Sequence, residues 1–135
     1  MRVFVDVDLY HDAEDPDRVS EALAAEPSRQ QRLGDNSATD LGLRVSVNGW
    51  FLSSETFVSS NSIAEHIDYI VGVVHPRLDQ LRELVSRGWH GRVTLFVLSP
   101  KGLVDLQIPA TLVGHLASFG LDLSFFSHSP ANHGE

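Results

Sequence analysis

Residues 2–10 alternate in character. Val3, Val5, Val7 and Leu9 fall on one side of an extended chain, and Arg2, Phe4, Asp6 and Asp8 fall on the other. Period two with β-branched residues predicts a half-buried strand. Asp15-Pro16 then opens a helix, because Asp caps well and Pro suits the first helical position. Val19, Ala22 and Leu23 form its apolar stripe, and Pro27 is the expected stop. Residues 28–42 are polar, with Gly34, Asp35, Asn36, Ser37 and Gly42, and read as a long loop. Leu43, Val45 and Val47 alternate again, Asn48-Gly49 is a turn signal, and Trp50 to Phe57 follows as a strand. A hairpin over 43–57 is the expectation.

Ser62-Ile63-Ala64-Glu65 has the form of a capping box. Ile63, Ile67, Ile70, Val71 and Val74 then recur at helical spacing. His75-Pro76 is expected to kink or break that helix, since Pro lacks the N–H and crowds the preceding turn. A second segment to Arg87 carries Leu78, Leu81, Leu84 and Val85, and Gly88 fits the residue beyond its end. Residues 92–98 are apolar on both faces, which predicts a central strand. Ser99-Pro100-Lys101-Gly102 reads as a turn, and Leu103 to Ile108 as a returning strand. Pro109 opens a helix with Leu112, Val113, Leu116 and Ala117, closed by Gly120, and residues 121–127 form a last strand.

This order predicts an α+β domain, a mainly antiparallel sheet of about five strands with helices packed on one face. From Trp50 onward it contains ferredoxin-like elements in the order β-α-β-β-α-β. One domain is expected over residues 1–127, with a disordered polar tail over 128–135.

Composition narrows the chemistry. The 135 residues contain no cysteine, which removes disulfides, thiolate metal sites and cysteine nucleophiles and fits a cytoplasmic setting. The net charge of −8 argues against a nucleic-acid partner. No apolar run approaches the ~20 residues that span a bilayer, and no secretory signal is expected. The charge is uneven. Residues 1–26 hold eight acids and two bases, while the remaining chain holds ten acids and eight bases.

Seven histidines raise the question of metal, but no HExxH motif is present. His66 and His115 read as partly exposed helix histidines. Asp6, Asp8, His11 and Asp12 are the compact polar set nearest to metal chemistry, with Asp6 and Asp8 on one strand face. No nucleophile motif or phosphate loop is found. Ser28-Arg29 offers a forked donor to an anion. Trp50 suits core packing, and Trp89, between Gly88 and His90, is expected to be partly exposed.

The pattern resembles the bacterial domain of unknown function 4279 family. The residues that carry the resemblance are the first strand, Asp15-Pro16 with Val19 and Leu23, Glu26-Pro27-Ser28, and Gly34-Asp35. Gly49-Trp50, Glu65-His66-Ile67, Pro76 and the stretch from Leu116-Ala117 to Leu121 complete it. The match runs from about Val3 to Phe126. The family pattern would have Thr at Ser28 and an acidic-aromatic ending in place of Phe125-Phe126-Ser127-His128. The resemblance implies a small bacterial α+β domain. It brings no established activity, so it assigns no catalytic residues.

The reading that follows is a non-enzymatic protein-interaction module, one version being an immunity-type inhibitor that covers a toxin's basic surface. Its candidate surface is Asp6, Asp8, His11, Asp12, Glu14, Asp17, Arg29 and Trp89. The alternatives are a metal-dependent hydrolase built on Asp6, Asp8, His11 or His66, and a small-molecule binding domain with a pocket between sheet and helices. No cofactor, resident metal, nucleic acid or membrane partner is expected. A homodimer is expected if Phe4 and Phe96 give the sheet an apolar second face.

Overall fold

The computed structural model describes residues 1–35, 45–99 and 105–128. Five strands, β1 (Arg2–His11), β2 (Arg29–Gln31), β3 (Asn48–Ser53), β4 (His90–Leu98) and β5 (Asp122–His128), form one sheet in the order β2-β3-β1-β4-β5. The pairs β2–β3, β3–β1 and β1–β4 are antiparallel, and β4–β5 is parallel. Helices α1 (Asp17–Leu23), α2 (Ile63–Val74), α3 (Leu78–Ser86) and α4 (Ala110–Ser118) complete the domain. The expected α+β class and the single helical layer are both present.

The core lies between that layer and one face of the sheet. Val3, Val5, Val7 and Leu9 of β1 are buried against Val19 and Leu23 of α1 and Ile63, Ile67, Ile70 and Val74 of α2. Leu81 and Leu84 of α3, Leu112 and Leu116 of α4, and Val93, Leu95 and Val97 of β4 close the same cluster. Each such side chain contributes roughly 1.5–3 kcal/mol by leaving water. Strand alternation therefore leaves Phe4, Asp6, Asp8 and Tyr10 on the opposite face, which no helix covers among the described residues.

Several boundaries depart from the expectation. Residues 29–31, placed in a loop, form β2, whose partner is β3. The hairpin expected over 43–57 is not formed by its described residues, 45–57. Residues 45–47 are outside any strand, and Asn48-Gly49 starts β3, which pairs β1 on its other side. The Asn48 amide is occupied elsewhere: its oxygen accepts from Leu33 N at 2.7 Å and its NH₂ donates to the Glu14 carbonyl at 2.8 Å. β3 ends at Ser53 and does not reach Phe57. No strand occupies 105–108, and residues 100–104 lie outside the described residues, as do 36–44. Strand β4 already has β1 and β5 on its two edges, so a returning hairpin strand has no edge to pair. His128, the first residue of the expected tail, ends β5, and residues 129–135 lie outside the described residues.

Helix ends follow their chemistry closely. Pro16 rather than Asp15 is the N-cap of α1 and makes no side-chain cap; Asp15 Oδ1 accepts the N–H of the first helical residue, Asp17, at 2.9 Å, and the helix ends at Ala24 in a left-handed conformation (φ 50°), before Pro27. Ser62 Oγ accepts Glu65 N at 3.4 Å, one half of the capping box. The other half is relayed: Ser62 N donates to Ser60 Oγ at 3.2 Å, and that hydroxyl donates to the Glu65 carboxylate. His75–Arg77 forms a short 3-10 turn that separates α2 from α3, as Pro76 requires. At Gly91 a side chain is impossible without movement, since a Cβ would stand 1.8 Å from the Asp8 carbonyl oxygen.

Candidate functional site

The open face is organised in cross-strand rows. Phe4, Phe96 and Phe126 are register partners on β1, β4 and β5. Phe4 stacks on Phe96 at 4.6 Å with a 14° interplanar angle, and Phe96 meets Phe126 at 5.5 Å. The next row is Ser53, Asp6, Thr94 and Ser124; the one after it is Arg29, Phe51, Asp8, Arg92 and Asp122. The Arg29 guanidinium lies 4.0 Å from the Phe51 ring centre, and Tyr10 meets the same ring edge-on at 5.6 Å. A shallow depression of about 310 Å³ opens over Asp6, Asp8, Tyr10, Arg29, Phe51 and Glu55.

The two carboxylates in this depression are poorly compensated. Burial pushes Asp8 up to about 6, and the neighbouring Asp6 charge adds to the rise, while Arg92 and Arg29 oppose it. Arg92 Nε stands 3.9 Å from Asp8 Oδ2, beyond hydrogen-bond distance. Burial also raises Asp6, against the lowering effect of Ser53, and the Glu55 charge adds to the rise. Asp6 Oδ1 and Thr94 Oγ1 are shut off from water and have no hydrogen-bond partner. Asp6 and Thr94 face one another across β1 and β4, so two orphaned polar atoms share one row. Leaving such an atom unpaired costs about 1–3 kcal/mol.

His11, Glu14 and Trp89 are used differently. His11 Nδ1 accepts the N–H groups of Ala13 (2.9 Å) and Glu14 (2.8 Å). Its Nε2 therefore carries the proton and donates to the Arg87 carbonyl at 2.9 Å. Glu14 Oε1 accepts from Trp89 Nε1 at 2.9 Å, and its Oε2 accepts from the Arg87 guanidinium. Desolvation pushes Glu14 up, but the Trp89 and Arg87 donors outweigh it and hold the carboxyl below its usual range. This network fastens the end of β1 to the end of α3. Trp89 is 1% exposed, contrary to the expectation from its glycine neighbour. Its indole fills the core end while its one N–H is satisfied by Glu14.

Asp17 lies on the α1 surface, where it shares Arg32 with Asp15, and Asp12 is exposed in the turn before α1. The Arg32 hydrogen bond holds Asp15 below the usual carboxylate range. Much of the acidic N-terminal segment is thus paired with bases from later in the chain. Of the eight candidate residues, the fold brings Asp6, Asp8 and Arg29 together, sets His11, Glu14 and Trp89 in a fastening network, and leaves Asp12 and Asp17 apart. Ser28 and Arg29 form no joint anion cradle: Ser28 Oγ accepts Ser53 N at 2.9 Å, and Arg29 lies on Phe51. Among the described residues no group of three His, Asp or Glu side chains is arranged to hold a metal ion.

Thr94, Tyr10, Phe51 and Ser53 are site residues that the sequence does not single out. The even-numbered positions of β1 and β4 carry the signal for Tyr10 and Thr94. Phe51 and Ser53 need the unforeseen β3 register. One further polar pair also escapes the sequence. Ser54 Oγ accepts Val5 N at 2.8 Å and lies 2.6 Å from His66 Nδ1, while His66 Nε2 lies 2.8 Å from the Ser60 carbonyl. The carbonyl demands a proton on Nε2, so Nδ1 accepts the Ser54 hydroxyl hydrogen. His66 is 1% exposed and Ser54 0%, so His66 is a core histidine rather than a partly exposed one. A substrate has no route to this pair, which ties α2 to the sheet. His115 is half-buried, as expected.

No helix among the described residues is long and apolar enough to cross a membrane. No curated protein and no solved structure matches the chain. The family model for Domain of unknown function (DUF4279) matches residues 1–129, and the chain belongs to that family.

Proposed function

We propose that the protein is a non-enzymatic interaction module of the bacterial cytoplasm, which applies the open face of its sheet to a partner with a basic surface. An immunity-type role, in which the partner is a toxin whose basic active site is covered, is the specific form of this reading. The observation that carries it is the partly exposed, poorly compensated Asp8 carboxylate in a depression walled by Phe51 and Tyr10. A lysine or arginine side chain of a partner supplies what this depression lacks. It pairs with ionised Asp8 and lies beside the Tyr10 ring, whose π face suits a cation. The Phe4–Phe96–Phe126 row supplies adjoining apolar area. The −8 net charge favours encounter with a basic partner.

The test is affinity capture with the whole chain at low salt, beside an Asp6→Asn/Asp8→Asn variant that keeps the native circular dichroism spectrum. The reading expects a basic protein retained by the natural chain and lost by the variant. Its affinity should fall with salt and rise between about pH 5 and 7.5 as Asp8 ionises. Retention of no protein, or equal retention by both chains, overturns it.

A small-molecule role draws on a different feature. A cavity of about 670 Å³ lies at the end of the sheet between Tyr10, Trp89, His90, Arg92 and Leu121. That volume is within the range of about 300–1,000 Å³ usual for ligand sites. Thermal shifts with a metabolite panel, abolished by Arg92→Ala and untouched by Asp6→Asn, would favour this second reading.

A further inference from the structure

We infer that β5 pairs through its outer edge with β5 of a second copy, antiparallel, about a two-fold axis at Phe125. This surface is separate from the basic-partner face proposed above. Among the described residues, strand β5 ends the sheet and is hydrogen-bonded on one side only. Ser99 N donates to the His128 carbonyl at 3.0 Å, so His128 turns its backbone groups toward the β4 side. Alternation along a strand then points the N–H and C=O of Leu123, Phe125 and Ser127 outward. Those groups find no backbone partner among the described residues.

Among the described residues the edge lacks the usual protection. Proline, lysine and arginine are absent from its seven residues. Its apolar side chains stand out on both faces, with Phe125 57%, Leu123 53% and Phe126 48% exposed. Strands that present such an edge alone invite pairing, and a copy of the same strand is always at hand.

The sequence is complementary to itself in one register. Setting Phe125 opposite Phe125 pairs the outward backbone groups of residues 123, 125 and 127 with those of 127, 125 and 123. All seven residues are then matched. Asp122 meets His128 of the second copy at both ends, an acceptor against a ring N–H donor. Leu123 meets Ser127, and Phe126 meets Ser124. A slip of two residues in either direction leaves the ends unmatched and sets Asp122 against Phe126 or past the strand. The symmetric pair is isologous and closed, so it stops at a dimer. The two open faces become continuous across the axis.

The experiment uses the full chain and measures mass by sedimentation and light scattering from micromolar to millimolar concentration. A dimer is expected, with Phe125→Lys raising its dissociation constant by at least about tenfold. Because the chain has no cysteine, Phe125→Cys provides an independent reading. A hydrogen-bonded antiparallel pair holds its Cα atoms about 5.5 Å apart, within disulfide reach. The Phe125→Cys chain should therefore cross-link to itself under mild oxidation. Leu123→Cys should not cross-link alone and should do so when combined with Ser127→Cys. Phe125 is exposed, so these variants should keep the native circular dichroism spectrum. A chain that stays monomeric throughout overturns the inference. So does a dimer that survives Phe125→Lys, a dimer abolished instead by Phe4→Ser, or a Phe125→Cys chain that fails to link.

Discussion

Val5 and Leu9 have no exposed surface and lie under the helices, while Asp6 and Asp8, each one residue from a core side chain, are half-buried with no helix above them among the described residues. The helix face is closed in its polar chemistry as well. Ser54, His66, Trp50 and Trp89 all place their polar atoms on partners. The open face keeps two orphaned atoms and a carboxyl raised to about 6. One strand thus separates a face optimised for stability from one that tolerates uncompensated charge. Such a cost is typical of surfaces kept for a partner.

The comparison breaks first on the helix face. Leu9→Ala should lower stability by about 2–5 kcal/mol, because it leaves a cavity in a packed core. Urea denaturation measures it, and a loss well below that range would mean the core is looser than its burial implies. His66→Ala should cost about 2–3 kcal/mol by stranding the Ser60 carbonyl and the Ser54 hydroxyl. Combining it with Ser54→Ala should cost clearly less than the two losses added, as expected of residues in one network. Strict additivity would show that the pair does not act as a unit.

How far the sequence reveals this division depends on the range of the interaction. The alternation of β1, the break at Pro76 and the central place of β4 are local or composition-level signals, and each is visible in the chain. The partner of β3 is not, because Asn48-Gly49 is a turn signal in isolation and loses that role to contacts with Glu14 and Leu33. The strand expected at 103–108 is not found over its described residues, 105–108, for a topological reason, since both edges of β4 are taken. Asp6, Asp8 and Arg29 are legible as candidates, the first two because they share a strand face. Thr94 and Phe51 complete the site from other strands, and only register brings them in. Glu14 and Trp89 show the opposite error: each is a plausible binding residue alone, and together they satisfy one another.

On the open face, substitutions should act in the opposite direction. Asp8 binds its proton more tightly when folded (about 6) than its ordinary value of 3.8 allows in the unfolded chain. Its contribution is therefore most favourable at low pH and is lost as pH rises from about 4 to about 6. Asp8→Asn should stabilise the protein at about pH 7.5 by about 1–2 kcal/mol, less than the full shift implies because one side of the carboxyl meets water. The gain should vanish near about pH 4. A gain independent of pH, or a loss, would show that Arg92 and Arg29 compensate the charge after all.

The smallest effect gives the sharpest contrast. Thr94 is 6% exposed and its hydroxyl has no partner, so Thr94→Val keeps the shape and removes an orphaned group. Stability should rise by about 1 kcal/mol, read as a shifted denaturation midpoint at unchanged slope. The reciprocal change one residue earlier, Val93→Thr, sets the same hydroxyl under the helices and should destabilise by more than that. The two swaps have equal volume and lie on one strand, so backbone propensity nearly cancels between them. Opposite signs would locate the difference in the faces themselves. If Thr94→Val instead lowers stability, the hydroxyl has a partner in solution, and the open face is as fully satisfied as the face beneath the helices.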